Sequence, residues 1–337
     1  MSLIYSERFM NSNFRAAFAD YLGEMRHFCR KIDRWHLLLP LLLMKTTEWS
    51  IYRWYKTPVR RYYGVKGNEL IYMITRRCNE QCAKCGIWEN PEKEEERIDV
   101  NVFLDSLRAL HRNLYQVTIT GGEPLLFMDD VLAIAEEASR LGVPLFVVTN
   151  GTLINERFLD AYQRLGHTLV ISLDTLDAEK WPSFRGRDSY RTVMDNIALA
   201  GKKLGSRLKI QSVDADESRA GLSEIRKFCD HMGIGHVIQP YMDFGGTWHD
   251  SRVFKENGKD EPCAARKNIC VFFSGHVVKC FDHHRIPIAK EPLGNIAEED
   301  IVTILCKTRS TQVTRQMKSC NLPCKRLSCN LPPVLCK

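Results

Sequence analysis

The sequence lacks a secretory signal segment and any apolar run long enough to span a bilayer. Its first residues show no charged region followed by an apolar stretch and a small-residue cleavage site. The leucine-rich run Leu37–Met44 has eight residues, whereas a transmembrane helix needs about 20. We therefore expect a cytoplasmic protein whose 13 cysteines are reduced and bind metal, rather than a secreted disulfide scaffold.

Acidic residues are absent from residues 306–337, which hold seven basic residues. Residues 1–66 are also basic, with 12 Lys and Arg against 5 Asp and Glu, and their aromatic residues flank the leucine-rich run. This pattern is typical of a segment that lies peripherally in a membrane interface, and equally of a helical arm packed on a core. The basic residues are too dispersed for a nucleic-acid-binding motif, so we expect no nucleic-acid partner.

Apolar β-like runs alternate with amphipathic helical segments between residues 69 and 241, which is typical of a parallel α/β sheet. The predicted strands are 70–76, 115–120, 144–149, 168–173, 208–213 and 236–241. The predicted helices are 100–110 with Asp99 as N-cap, 129–141, 156–165, 189–203 and 222–232. Six β/α units are too few for a closed eight-stranded barrel, so we predict a partial (β/α)6 TIM-like barrel that is open on one side.

Three cysteines, Cys78, Cys82 and Cys85, follow the first predicted strand at C-x3-C-x2-C spacing. Three thiolates can bind three irons of a cubane cluster and leave the fourth iron free to bind an exogenous molecule. The alternatives are a chance group of core cysteines and a structural zinc site. Structural zinc usually has four protein ligands, and no fourth candidate lies close by in the sequence.

The second predicted strand is followed by the turn Gly121-Gly122-Glu123-Pro124. Glycines let a backbone approach a ligand closely, and Glu123 with the neighbouring carbonyls offers acceptors suited to an ammonium group. A Gly-Gly turn alone is more often only a turn.

The cysteine triplet and the Gly-Gly-Glu-Pro turn about 35 residues later, in this order, resemble the radical S-adenosylmethionine (radical SAM) superfamily over residues 69–241. This resemblance implies that the three cysteines hold a [4Fe-4S] cluster whose free iron is chelated by S-adenosylmethionine. It also implies contacts between the bound cofactor and the ends of successive strands. The implied cofactor-binding residues are Gly121, Gly122, Glu123, Pro124, Asn150, Ser172, Asp174 and Arg185. Gln211 or Ser212 on the fifth strand and Gln239 on the sixth are weaker candidates, since a polar strand end explains them equally well.

One position departs from the family pattern. The residue before the third cysteine is often aromatic in this family and stacks on adenine, but it is Lys84 here. Ile87 or Trp88 could supply the adenine contact instead, and packing is an equal explanation for Trp88.

Beyond residue 242 the β/α alternation stops and cysteines become dense. A predicted hairpin, 271–273 with 276–281, turns at Ser274-Gly275. This region resembles the SPASM extension of radical SAM enzymes and implies one or two auxiliary [4Fe-4S] clusters, although the spacing of its last four cysteines is unusual and a zinc knuckle is the alternative. The predicted auxiliary ligands are Cys263, Cys270, Cys280, Cys320, Cys324, Cys329 and Cys336. We interpret Cys306, Cys229 and Cys29 as buried thiols.

The sequence thus predicts three regions: a helical N-terminal extension (1–66), a radical SAM partial barrel (67–242) and a SPASM-like domain (243–337). The resemblance implies an enzyme that cleaves S-adenosylmethionine reductively to a 5′-deoxyadenosyl radical, with a one-electron donor such as a flavodoxin or ferredoxin. Hydrogen abstraction from a peptide or protein, a membrane-associated lipid, or a small molecule such as a sugar all remain open. A non-catalytic iron-sulfur electron carrier is the alternative from another class.

Overall fold

The computed structural model describes residues 68–241, 244–251, 268–279 and 291–318, all within one compact unit, residues 66–337. The predicted N-terminal extension lies outside the described residues, as do Cys29 and six predicted auxiliary ligands. Across the described ranges, no helix is both long enough and apolar enough to cross a membrane.

Within the described ranges, nine strands form one sheet in the order β6-β5-β4-β3-β2-β1-β7-β8-β9. The pairs from β6 through β1 to β7 are parallel, whereas β7 with β8 and β8 with β9 are antiparallel. The strands are β1 (Asn68–Met73), β2 (Leu114–Thr120), β3 (Leu145–Thr149), β4 (Thr168–Ser172), β5 (Leu208–Asp214), β6 (Gly235–Pro240), β7 (Asn268–Phe272), β8 (His276–Val278) and β9 (Gly294–Asn295). All six strands predicted for the barrel are therefore confirmed.

The first six helices lie between successive strands from β1 to β6, and two more follow β9. In chain order, the eight helices of the described ranges are α1 (Val100–Leu110), α2 (Met128–Arg140), α3 (Glu156–Leu165), α4 (Trp181–Arg185), α5 (Tyr190–Leu204), α6 (Leu222–Met232), α7 (Ile301–Cys306) and α8 (Thr308–Lys318). Asp99 caps α1 as predicted, because its side chain accepts a hydrogen bond from the backbone N–H of Asn101 at 2.8 Å. Gly233 ends α6 in the left-handed conformation, with φ 67°.

The two faces of the sheet differ in chemistry. On β1 and just beyond it, Leu70, Tyr72 and Ile74 are buried in the main hydrophobic core, where the Tyr72 ring stacks on Phe103 of α1 at 4.1 Å. Residues at alternate positions of the same strand line an interior cavity instead. The helices cover the first face, so the second face is free to build a site.

The sheet is open at β6, which confirms the predicted partial barrel. β6 pairs with β5 along one side and is the last strand of the sheet as far as the structure describes the chain. Val237 and Ile238 on this strand are 41% and 37% exposed. The barrel therefore has an open flank beside β5 and β6 among the described residues.

The described part of the cysteine-rich region continues the same sheet. β7 pairs parallel with β1, and the predicted hairpin is formed by β7 and β8, with Gly275 at φ 82° in the turn. β9 then pairs with β8. The boundary at residue 242 stays a prediction, since these strands share the barrel's sheet.

Two of the cysteines interpreted as buried thiols lie in described helices. Cys229 is fully buried on α6, as predicted. Cys306 is exposed, so the prediction of a buried thiol is wrong there. Ile301 and Ile304 form the buried face of α7, and Cys306, two residues after Ile304, is turned about 200° away from it.

Candidate active site

A cavity of about 420 Å³ occupies the inner face of the partial barrel. Its walls come from alternate residues of β1 to β7. The segment 77–86, here called the cysteine loop, and the Gly-Gly turn close it at the carboxyl ends of the strands. Parallel β/α architectures place their chemistry at this end. The cavity thus extends from the cysteine loop into the barrel interior.

The three cysteines of the loop line this cavity together, and none of them forms a disulfide. Cys82 is buried and the other two are half-buried. Burial raises the pKa of Cys78 to about 12 and also raises the pKa of Cys82 and Cys85. Since the thiolate is the form that binds metal, these thiols need a positive centre at the loop to ionise at neutral pH.

The Gly-Gly turn fits against the backbone that leads into the cysteine loop. The Gly122 N–H donates to the Thr75 carbonyl at 2.7 Å, and the Glu123 N–H donates to the Arg77 carbonyl at 2.8 Å. A Cβ on Gly121 would stand 2.3 Å from the Thr75 carbonyl oxygen, and one on Gly122 would stand 2.1 Å from the Arg77 carbonyl oxygen. Both glycines line the cavity, and they also permit this close backbone packing; their contact with the cofactor stays a prediction.

Glu123 does not face the cavity, which corrects the expected direct contact with an ammonium group. It is fully buried, and its Oε1 accepts from the Leu125 N–H at 2.9 Å and from the Thr149 hydroxyl at 2.7 Å. Its Oε2 accepts from the Asn150 N–H at 2.7 Å. Burial raises the pKa of Glu123 to about 7, although these three hydrogen bonds lower it. The carboxyl group therefore ties the end of β2 to the end of β3.

Pro124 is also buried away from the cavity, because it starts a short 3-10 turn, Pro124–Phe127. Asn150, by contrast, lines the cavity. Its Nδ2 donates to Asn79 Oδ1 at 2.8 Å and lies 3.8 Å from Cys78 Sγ. Asn150 thereby contacts the first residues of the cysteine loop from the end of β3.

Arg185 is buried beside the cluster loop and is surrounded by acceptors. Its Nη1 lies 3.8 Å from Cys82 Sγ and 3.7 Å from Glu80 Oε2. Its Nη2 donates to the Ser172 carbonyl at 2.6 Å and lies 3.3 Å from Asp174 Oδ2. Burial opposes the charge, but the neighbouring anionic groups outweigh it and raise the pKa of Arg185, so the guanidinium stays positive.

Lys84 binds Asp174 directly, with Nζ 2.5 Å from Oδ2. Asp174 is 2% exposed and does not line the cavity, which corrects the expected cofactor contact. Burial would raise the pKa of Asp174, but Lys84 and Arg185 outweigh it and lower the pKa. Lys84 and Arg185 therefore separate an ionised Asp174 from the cavity, whereas Ser172 lines it.

Ile87 and Trp88, the two predicted adenine contacts, both line the cavity and are half-buried. The Trp88 Nε1–H donates to the Cys82 carbonyl at 3.4 Å, so this residue also supports the loop. Of the polar residues predicted on later strands, Gln211 and Gln239 line the cavity and hydrogen-bond to each other at 2.7 Å. Ser212 is buried on the opposite face, where its hydroxyl bonds to the Leu173 carbonyl.

A segment after β6, which the sequence analysis did not single out, braces the cysteine loop from the other side. Residues 244–248 approach the loop so closely that the Gly86 N–H donates to the Phe244 carbonyl at 3.0 Å. A Cβ on Gly246 would stand 2.4 Å from the Cys85 nitrogen. The pair Gly245-Gly246 was the available sequence signal, because adjacent glycines often mark close backbone contact.

Two buried carboxylates near the loop were also missed. Glu92 accepts a hydrogen bond from the Thr75 hydroxyl and another from the Arg76 N–H at 2.7 Å. Glu80, two residues after Cys78, accepts from the Ser189 hydroxyl and faces Arg185. Both residues look like ordinary surface glutamates in the sequence, and only the fold buries them.

Cys270 is the one predicted auxiliary ligand within the described ranges. It lies on β7, lines the cavity and packs with Ile71 and Val278 in a small apolar cluster. Burial raises its pKa, which favours the neutral thiol. The other six predicted auxiliary ligands lie outside the described residues, so the auxiliary clusters stay a prediction.

The donor set fits a cluster with an open iron. Three thiols from one short loop line one cavity, and no three His, Cys, Asp or Glu side chains in the described ranges are grouped to hold a single metal ion. Thiolates of a cubane cluster bind different irons, so they need no such convergence. The buried Arg185 Nε has no hydrogen-bond partner in the part of the chain that the structure describes, and it can donate to a bound anionic group.

Comparison with known proteins identifies the fold and the domain. Residues 72–213 match the family model described as the Radical SAM superfamily, so the chain contains a radical SAM domain. The crystal structure of Streptococcus suis SuiB bound to S-adenosylmethionine superposes with a TM-score of 0.62 at 16% identity, covering 74% of this chain and 68% of that chain. At this identity the likeness shows the fold.

Two named relatives are enzymes. A GTP 3′,8-cyclase of Rhodococcus opacus is 31% identical over 182 residues, 51% of this chain and 50% of the relative. A pre-heme d1 synthase of Dinoroseobacter shibae is 27% identical over 207 residues, 59% of this chain and 49% of the relative. The matched segments thus span about half the length of each relative. The predicted radical SAM domain is confirmed; such a domain implies a [4Fe-4S] cluster and S-adenosylmethionine.

The close fit of the Gly-Gly turn predicts that Gly122→Ala loses most of its iron, because its Cβ would collide with the Arg77 carbonyl and displace the cysteine loop. Iron content after anaerobic reconstitution measures this effect. Gly221→Ala is the matched control, since Gly221, like Gly122, does not have a positive φ, and the nearest atom to its added Cβ is the Asp174 carbonyl oxygen at 4.0 Å. Wild-type iron content in Gly122→Ala would contradict the packing role.

The raised pKa of Glu123 predicts that the stability of the fold depends on pH. Its pKa of about 7 in the folded protein lies above the ordinary value of 4.5. Protonation of Glu123 therefore stabilises the folded state fully below pH 4.5, and this stabilisation is lost as the pH rises to 7. Relative to Glu123→Gln, the wild type should lose about 3 kcal/mol of stability over that range. Urea unfolding at several pH values measures the slope; parallel profiles for the two proteins would contradict the prediction.

Proposed function

We propose that this chain is a radical SAM enzyme that abstracts a hydrogen atom from an unactivated carbon of a small polar molecule. The observation that carries this proposal is the shared cavity: the cysteine loop and the barrel interior, with its polar and apolar side chains, form walls of one space of about 420 Å³. That volume is within the range of small-molecule sites. A substrate in the interior would therefore lie next to the site of radical formation.

Cys78, Cys82 and Cys85 would hold the cluster as thiolates. When bound there, the cluster and S-adenosylmethionine supply one-electron cleavage of the sulfonium to methionine and a 5′-deoxyadenosyl radical. An external one-electron donor of the flavodoxin or ferredoxin type would provide the electron. The protein itself orients the reactants and limits the access of water.

Different residues around the cysteine loop would contact the ammonium, carboxylate and adenine groups of S-adenosylmethionine. Gly121 and Gly122 offer backbone carbonyls to the methionine ammonium group, and Arg185 offers its guanidinium to the carboxylate. Asn150 and Ser172 line the cavity beside them, while Trp88 or Ile87 contacts the adenine. Glu123 and Asp174 act indirectly, because they fix the strand ends and orient Lys84 and Arg185.

A small-molecule substrate is favoured over the peptide and lipid alternatives. The names of two relatives refer to GTP and to pre-heme d1, which are small molecules. SuiB has also been solved with its precursor peptide SuiA, but that likeness at 17% identity carries the fold alone. The segment that suggested a lipid, residues 1–66, lies outside the described residues.

The activity predicts 5′-deoxyadenosine formation. The full chain, reconstituted anaerobically with iron and sulfide, should form 5′-deoxyadenosine and methionine from S-adenosylmethionine and dithionite. The triple variant Cys78→Ala, Cys82→Ala, Cys85→Ala should form none, because no thiolate remains to hold the cluster. Cys229→Ala, which removes a thiol from the core of α6, should retain the product. Chromatography measures it, and its absence with wild type would favour an electron carrier.

We also propose one or two auxiliary [4Fe-4S] clusters in residues 243–337, with Cys263, Cys270, Cys280 and the four C-terminal cysteines as candidate ligands. They could accept an electron from a substrate radical or bind the substrate. The triple cysteine variant should then retain a [4Fe-4S] Mössbauer signal and several irons per chain. A variant with no remaining cluster signal would contradict this prediction, and a zinc content of one per chain would favour a zinc knuckle instead.

A further inference from the structure

The cavity wall carries five charged side chains: Glu69, Glu80, Lys84, Arg185 and Lys209. Four of them have a charged or hydrogen-bonding side chain beside them. Glu80 and Arg185 face each other, and Lys84 binds Asp174. Glu69 accepts hydrogen bonds from the Thr118 hydroxyl at 2.6 Å and from Gln116 at 2.9 Å. Lys209 differs from the other four.

Lys209 has no carboxylate within ion-pair distance among the described residues. Its ammonium group instead lies 5.1 Å from the centre of the Phe146 ring. Its aliphatic stem passes over Gly235, where a Cβ would stand 3.2 Å from Lys209 Cγ. The half-buried stem is thus packed in place, while the charge at its end faces an aromatic surface without a counter-ion.

A second donor in the same cavity lacks a partner. Asn268, the first residue of β7, is 4% exposed, and its Nδ2 forms no hydrogen bond in the part of the chain that the structure describes. A buried amide donor without an acceptor costs free energy, so a ligand acceptor would relieve it. Both groups are donors: the Lys209 ammonium favours an anion, and the Asn268 amide can donate to one of its oxygens.

The location of Lys209 suits a substrate rather than the cofactor. Lys209 is the second residue of β5, and Val213, which also lines the cavity, is four residues further towards the cysteine loop. Four strand residues span about 13 Å, so Lys209 lies deep in the barrel, well below the strand ends. It is next to β6, the open edge, where the exposed Val237 also lines the cavity.

We propose that the substrate carries an anionic group, a carboxylate or a phosphate, that binds the Lys209 ammonium, with the Asn268 amide as a further donor to the substrate. This inference rests on the proposed function and narrows it to acidic small molecules. Anchoring at Lys209 leaves the remainder of the substrate to extend towards the cysteine loop. Lys209 is then a specificity-determining residue.

The test is anion binding to the full reconstituted chain, measured by isothermal titration calorimetry without oxygen. Pyrophosphate is the phosphate probe, and succinate and glutarate are the carboxylate probes. We expect one class to bind and Lys209→Met, which keeps most of the stem, to weaken that binding about tenfold or more. Lys209→Arg should bind within about threefold of wild type, because it retains the charge.

The matched control is Lys202→Met, because Lys202 is exposed on α5 and does not line the cavity. It should bind the anion as wild type does. If Lys209→Met does not fold, Lys209→Gln serves as the uncharged variant. No binding of any probe, or equal binding by wild type and the uncharged variant, overturns the proposal. Wild-type 5′-deoxyadenosine formation tests the proposed function separately, since that reaction can fail while anion binding persists.

Discussion

The close packing of the Gly121-Gly122 turn on the backbone after β1 is the constraint on which the site depends. It joins the ends of two adjacent strands through backbone hydrogen bonds to the Thr75 and Arg77 carbonyls. The Glu123 carboxylate then holds the end of β3 in place by accepting a hydrogen bond from the Asn150 N–H. The cysteine loop is therefore fixed by the sheet itself, and a side chain at either glycine would collide with the segment that carries the cysteines.

A buried charge network organises the other half of the site. Arg185 on α4 lies between Glu80 of the cysteine loop and Asp174 at the end of β4, and Lys84 also binds Asp174. Buried charges are costly unless they are paired, and here two cations and two carboxylates compensate one another. The network keeps a guanidinium 3.8 Å from Cys82, where positive charge favours a thiolate.

The sequence predicted the features that depend on local pattern. Strand and helix order follow from apolar periodicity, and the cysteine loop follows from its spacing. The roles of Glu123 and Asp174 did not follow, because a motif shows which residues are present and not which way a strand end turns them. The prediction that Cys306 is a buried thiol was wrong because an apolar stretch does not specify which helix face is buried. Lys209 and Asn268 were missed because a lone lysine or asparagine on a strand has no pattern at all.

The segment that braces Cys85 has a mechanical consequence for the flank at β6. On most of its circumference the cavity is walled by strands whose ladders of hydrogen bonds resist separation. Beside β6, residues 244–248 contact the cysteine loop through isolated backbone bonds and glycine packing. This side can yield without breaking strand pairing, so the wall that would admit a substrate is the same wall that holds the third cysteine in place.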